Sequence, residues 1–157
     1  MTFDILSIPI DICKLHPDAV IPKYQNPGDS GFDFHALEDI SINLGETKLV
    51  KTGLSFSIPK GFELQVRPRS GLSLKTPLRV ANSPGTVDSS FRGEVCVIIH
   101  NTEQYPTGIN EGQYLIKKGD RIAQGVICPV FKAKFVEVEE LDETQRGEGG
   151  FGSTNKA

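Results

Sequence analysis

Glycine and proline punctuate this chain so often that a long helix has almost nowhere to lie: 16 Gly and 10 Pro are spread through 157 residues. Proline removes a backbone donor and fixes φ, and glycine weakens a helix interior. Between these breakers lie short runs rich in Val, Ile and Phe, the pattern of strands bounded by turns. In Leu54-Ser-Phe-Ser-Ile58 the apolar residues fall two apart and share one sheet face. Strands are predicted at 7–14, 32–36, 40–44, 47–53, 54–58, 62–67, 94–100, 121–130 and 134–138. One short helix fits, at 70–75, after Pro68-Arg69 and before Pro77, which stops it. The polar stretch 101–114 carries Pro106, Gly108 and Gly112 and reads as a long surface loop. An all-β domain of sandwich, jelly-roll or small-barrel type is expected, without internal repeats.

A chain of this length can bury about 70% of its unfolded surface. With 38% hydrophobic and 24% charged residues it is composed like an ordinary globular domain. The net charge of -3 provides no basic excess to hold nucleic acid nonspecifically, whereas a few placed cations suffice for a small anion. Cys13, Cys96 and Cys128 are odd in number and widely spaced, against a disulfide framework or a zinc site; Cys96 and Cys128 sit in apolar runs and are expected in the core. The N-terminus lacks the pattern of a secretory signal, and no apolar run reaches the roughly 20 residues that cross a bilayer, so a cytoplasmic location is expected.

Five stretches carry chemistry. The tail Arg146-Gly-Glu-Gly-Gly-Phe-Gly-Ser-Thr-Asn155 surrounds an arginine and a ring with four glycines. Backbone N–H groups freed of side chains can wrap an anion, and Arg146 adds a planar fork of donors suited to phosphate. Gly147 and Gly152 have P-loop spacing, but Ser153 stands where that loop has lysine. A frayed terminus has the same composition. Arg67-Pro-Arg-Ser-Gly-Leu72 joins a strand end to the helix start, where Arg69, Ser70 and Gly71 could hold an anion; an ordinary basic strand end with a serine cap would look alike. In the segment from Asn82 to Glu94, Asp88 sits among turn residues, placed to deprotonate a water, and Phe91 could stack on a sugar or base; an aspartate bonding its own turn is the commoner case. Asp29-Ser-Gly-Phe-Asp-Phe34 and Lys118-Gly-Asp-Arg-Ile-Ala-Gln124 are weaker, the second reading as a turn with a surface ion pair. His16, His35 and His100 have no metal-ligand spacing.

In their order and spacing these stretches resemble the five motifs of the homotrimeric deoxyuridine triphosphatases, the dUTPases, over residues of about 28 to 155. The resemblance implies a distorted β-barrel of jelly-roll type spanning 1–140, with one short helix after the second motif and a C-terminal arm at 141–157. It implies hydrolysis of dUTP to dUMP and pyrophosphate with Mg2+, in a homotrimer whose arm reaches a neighbour's site. By the same resemblance Asp88 activates the attacking water, and Asp33 lies near the water shell of the magnesium. Arg69, Ser70, Gly71 and Gln124 match phosphate contacts. Asn82, Gly85 and Gly93 match positions around the uracil, Phe91 the ring beneath the deoxyribose, Arg146 the γ-phosphate arginine, and Phe151, with Gly152 and Ser153, the lid over the base. The chain departs from the family's usual pattern at Phe91, commonly tyrosine, and at Gly125 and Asn155, often leucine and glycine.

Two alternatives are less well matched. The related dCTP deaminases share the fold but use an Arg-Ser-Ser segment, where this chain has Arg69-Ser70-Gly71. A noncatalytic jelly-roll capsid or regulatory module gives no reason for Asp88 or the tail.

Overall fold

The computed structural model describes residues 7–105 and 112–150. Among these residues eleven strands and one helix follow one another: β1 (Asp11–Lys14), β2 (Phe32–His35), β3 (Ile40–Ile42), β4 (Thr47–Lys51), β5 (Leu54–Ser57), β6 (Phe62–Arg67), α1 (Ser70–Lys75), β7 (Leu78–Val80), β8 (Gly85–Val87), β9 (Cys96–Asn101), β10 (Tyr114–Ile116) and β11 (Arg121–Pro129). The all-β expectation and the single helix hold. Within the described residues the strands pair as four sheets rather than one closed ring: β2-β11-β6-β8, β4-β9-β7, β1-β5 and β10-β3.

Side-chain alternation explains how these sheets enclose a core. Phe32 and Phe34 point inward from β2 while Asp33 and His35 face out; Leu64 and Val66 do the same in β6, and Val97 and Ile99 in β9. With Ile42, Leu78 and Ile122 they form one continuous cluster, each large apolar side chain contributing about 1.5–3 kcal/mol on burial. Tyr24, Phe32, Phe34 and Phe56 stack and meet edge-on beneath the outward-facing Asp33. Among the described residues the polar side chain with no exposure at all is Asn101. Asn101 donates through Nδ2 to the carbonyls of Ile42 and Gly112, and its Oδ1 accepts from the Glu103 N–H, so its burial leaves no unpaired group.

Several predicted elements change. The predicted strand at 7–14 is confined to β1, and the one at 94–100 begins at Cys96. β7, β8 and β10, each three residues long, were not anticipated; β10 takes up the end of the expected 101–114 loop, of which 106–111 lie outside the described residues. The 134–138 stretch is not a strand: Phe135 is 94% exposed and the segment has no ladder partner within the chain's described residues. Cys96 and Cys128 are half-buried at the outward faces of β9 and β11 rather than core residues, and Cys13 is exposed; all three are free.

Candidate functional site

The longest strand, β11, lies between β2 and β6, and its Gln124 stands in register with Asp33 on one side and Arg67 on the other. Past Arg67, the chain turns through Pro68 and Arg69 into α1. Arg69 is the helix's N-cap residue, with extended backbone (φ -95°, ψ 128°) and no side-chain cap. This short path brings Asp33, Arg69, Ser70, Gly71 and Gln124 to one depression of about 270 Å³, lined also by Gln25, Asp29, Ser30 and Gly31.

Charge and hydrogen bonding fix this corner. The Asp33 carboxylate, only 12% exposed, accepts from Arg69 Nε at 2.6 Å on one oxygen and from Arg121 Nη1 at 3.3 Å on the other. Arg69 Nη1 also donates to the Arg121 carbonyl at 3.3 Å, tying the helix start to β11. Gln124 donates from Nε2 to the Pro68 carbonyl at 2.8 Å. Gly31 makes room for it: a Cβ there would stand 2.7 Å from Gln124 Oε1. Behind Asp33, His35 carries a buried Nδ1 without a partner among the described residues, and burial pushes its pKa below the ordinary value, favouring the neutral ring at physiological pH. On the other side of Arg69 a second depression of about 280 Å³ is lined by Tyr114, Asp120, Arg121 and the apolar Leu72, Ile116 and Ile122.

The second group of predicted residues lies on the segment leading into and out of β8. Val66 of β6 pairs with Gly85, where Asn82 packs against the glycine: a Cβ on Gly85 would meet Asn82 Nδ2 at 3.2 Å. Asp88 is exposed and opens a turn, its carbonyl accepting from the Phe91 N–H at 3.0 Å. The half-exposed Phe91 ring folds over Gly93, with Cζ 2.6 Å from where a Cβ would stand. Glu94 then anchors the strand beyond by accepting from the Gly53 N–H at 2.7 Å. Asn82, Asp88 and Phe91 do not line the depression around Arg69 within the described residues.

Arg146 lies on an exposed turn, where its Nε donates to the Gly149 carbonyl at 2.8 Å; no hydrogen bond among the described residues joins it to Arg69, Ser70 or Gln124. Phe151, Gly152 and Ser153 lie outside the described residues. Sequence reasoning passed over Arg121 and Gly31. The signal for Arg121 was obscured because it stands three residues before Gln124, which in a regular strand puts the two on opposite faces. The register of β11 on β2 shifts between Arg121 and Ala123, and this irregularity returns both side chains to the Asp33 face.

No three His, Cys, Asp or Glu side chains cluster for direct metal ligation among the described residues, and no helix there is long and apolar enough to cross a membrane.

A jelly-roll-type β fold with a small, arginine-bearing polar corner fits the class of nucleotide hydrolases, and the comparisons with known proteins give that class. The dUTPase family profile matches residues 17–155. Deoxyuridine 5'-triphosphate nucleotidohydrolases of Helicobacter pylori (strain P12) and Nautilia profundicola are 52% and 51% identical over 145 and 147 residues, covering 92% and 94% of this chain and 95% and 99% of those proteins. The dUTPase of Staphylococcus bacteriophage 80alpha bound to dUpNHpp superposes with a TM-score of 0.85 at 29% identity, over 94% of this chain and 98% of that one. A point variant of the dUTPase from the S. aureus phage phi11, whose structure describes a structural Mg(II) ion, superposes at 0.77 with 26% identity over 85% and 98%. The chain belongs to the dUTPase family, and it is a dUTP diphosphatase.

Proposed function

We infer that the corner around Arg69 holds the triphosphate of dUTP and that Asp88 is the general base for water attack on the α-phosphorus. The observation that carries the triphosphate reading is the convergence of Asp33, Arg69, Ser70, Gly71 and Gln124 on one depression from three separate stretches of sequence; the role given to Asp88 rests on membership of the dUTPase family. In the reaction the water oxygen bonds to the α-phosphorus as its proton passes to Asp88. The bond from that phosphorus to the bridging oxygen breaks, releasing dUMP and pyrophosphate. Asn82, Gly85 and Gly93 would bound the uracil, and Phe91 would pack beneath the deoxyribose and leave no space for a 2'-hydroxyl. Positioning and fixed positive charge supply most of such catalysis. In a cell the activity keeps uracil out of DNA and provides dUMP for thymidylate synthesis, with the cytoplasm as the expected location.

The donor set fits magnesium held through water. Both Asp33 oxygens are engaged by arginines, yet a carboxylate oxygen has a second acceptor site for a metal-bound water. When bound, the ion offsets charge on the substrate's phosphate oxygens while retaining most of its waters.

The assembly proposed is a threefold ring in which the arm at 141–157 closes a neighbour's site, Arg146 reaching the γ-phosphate and Phe151, Gly152 and Ser153 covering the base. Two features support it. Phe131, Phe135, Val136 and Val138 lie exposed along the chain leading to the arm, an apolar run expected to be covered by another surface. An apolar groove of about 790 Å³, lined by Ile8, Ile10, Ile12, Ile21, Phe56 and Ile127 among others, offers a surface of matching character.

The test pairs binding with turnover. Asp88→Asn should bind dUpNHpp normally and release pyrophosphate from dUTP about 10²–10⁴ times more slowly, the usual range for losing a general base. Near-normal turnover would remove Asp88 from the role. Wild-type protein should prefer dUTP over dCTP, dTTP and UTP, and equal rates would sink the substrate assignment.

A further inference from the structure

Charge balance at the depression is the observation to start from. Its lining contains two carboxylates, Asp29 and Asp33, and one guanidinium, Arg69. On formal charges that lining is net negative by one, a poor match for a triphosphate. Arg69 moreover faces Asp33 at 2.6 Å, so that much of its charge is spent within the protein.

Arg121 corrects this imbalance from outside the lining. Its Nη1 lies 3.3 Å from the other Asp33 oxygen, and its side chain is 52% exposed at the lip between the two depressions. A long contact from a half-exposed guanidinium contributes little to fold stability, so stability alone does not account for the strand irregularity that turns Arg121 to this face. We propose that Arg121 is a positioning residue of the phosphate site, which neutralises Asp33 and thereby leaves the charge of Arg69 available to the substrate. With Arg121 included, two guanidiniums balance two carboxylates. Asp33 becomes a bridge that aims one arginine while being satisfied by the other.

The proposal rests on the reading of this corner as the phosphate site, and the experiment separates the two. Binding of dUpNHpp to the full-length protein is measured without divalent metal, for wild type, Arg69→Ala, Arg121→Gln, Arg121→Lys and Asp33→Asn/Arg121→Gln. Arg121→Gln should bind about tenfold more weakly, with a gap that narrows as salt rises from about 0.05 to 0.5 M. Arg121→Lys, which keeps the charge, should stay within about threefold of wild type. The double variant again balances one guanidinium against one carboxylate and should recover to within about threefold. Unchanged binding by Arg121→Gln overturns the proposal, and so does a double variant as weak as the single one, because Arg121 would then act on something other than Asp33. If Arg69→Ala also binds like wild type, the phosphate-site reading fails; if only Arg69→Ala is weakened, the Arg121 inference alone fails.

Discussion

Replacing Gly125 by alanine should destabilise the protein, and the cost can be worked from the packing around it. Gly125 is buried in β11, and a Cβ there would stand 2.7 Å from Phe32 Cζ and 2.9 Å from Phe34 Cε2. Carbon atoms in contact prefer about 3.5–4.0 Å, so both rings must retreat by roughly 1 Å. Neither has space to do so freely, since Phe32 and Phe34 each pack on Phe56 and Phe32 also on Tyr24. Overpacking of this kind costs about 1–3 kcal/mol. Alanine recovers about 0.5–1 kcal/mol by restricting the unfolded chain relative to glycine. The balance is a loss of about 1.5 kcal/mol, equivalent to a melting point roughly 3–6 °C lower for a domain of this size. The chain has no tryptophan, so urea unfolding is best followed by far-UV circular dichroism at one protein concentration. Gly125→Ala/Phe32→Leu should regain most of the loss by opening space where the methyl enters. A single variant as stable as wild type would refute the packing argument. The same contact accounts for glycine at a position where the family often has leucine: two phenylalanine rings already occupy the volume.

Ending the chain after Gln145 should abolish dUTP turnover while light scattering gives an unchanged assembly mass; full activity would dismiss the arm as a lid. Gly31→Ala should push the Gln124 amide away from the Pro68 carbonyl, and losing about 1 kcal/mol of hydrogen bonding should raise KM for dUTP roughly fivefold; a KM equal to wild type would show that this amide does not bear on the substrate. Asp39 is held below its ordinary pKa of 3.8 first by the Lys118 backbone N–H and then by Lys117, and Asp18 chiefly by the Lys118 side chain. Because the unfolded chain binds these protons more readily, the stabilisation is present above about pH 4 and is lost as pH falls through the folded values. Asp39→Asn should therefore shrink the difference between urea midpoints at pH 6 and pH 3, and an unaltered difference would exclude the pair as a source of acid sensitivity.

How much of this was legible depends on where each signal resides. The alternation in 54–58 and the breakers around 70–75 are local, and both elements form close to where the sequence places them. Strands such as Leu78–Val80 and Tyr114–Ile116 contain too few residues for any period to show; they exist because β9 and β3 offer them partners. At 134–138 the reverse occurs, with strand-favouring Phe135, Val136 and Val138 but no partner in the described chain. Arg69, Ser70 and Gly71 stood out in the sequence because the strand end, the turn and the helix start are contiguous, whereas Gln124 was singled out only through the family resemblance and reaches the same depression through the pairing of β11 with β2 and β6. Arg121 was not, because its face is set by a register shift against β2 that only the folded pairing reveals.

The enclosed Asn101 has an implication for how such a chain can change over generations. One side-chain amide fastens Gly112 to the body of the domain, and the same residue holds the Glu103 N–H at the other end of the connection. Both anchors thus depend on this single buried side chain. Changes that a lineage accumulates elsewhere leave these contacts in place, whereas a substitution at Asn101 would release Ile42, Glu103 and Gly112 at once.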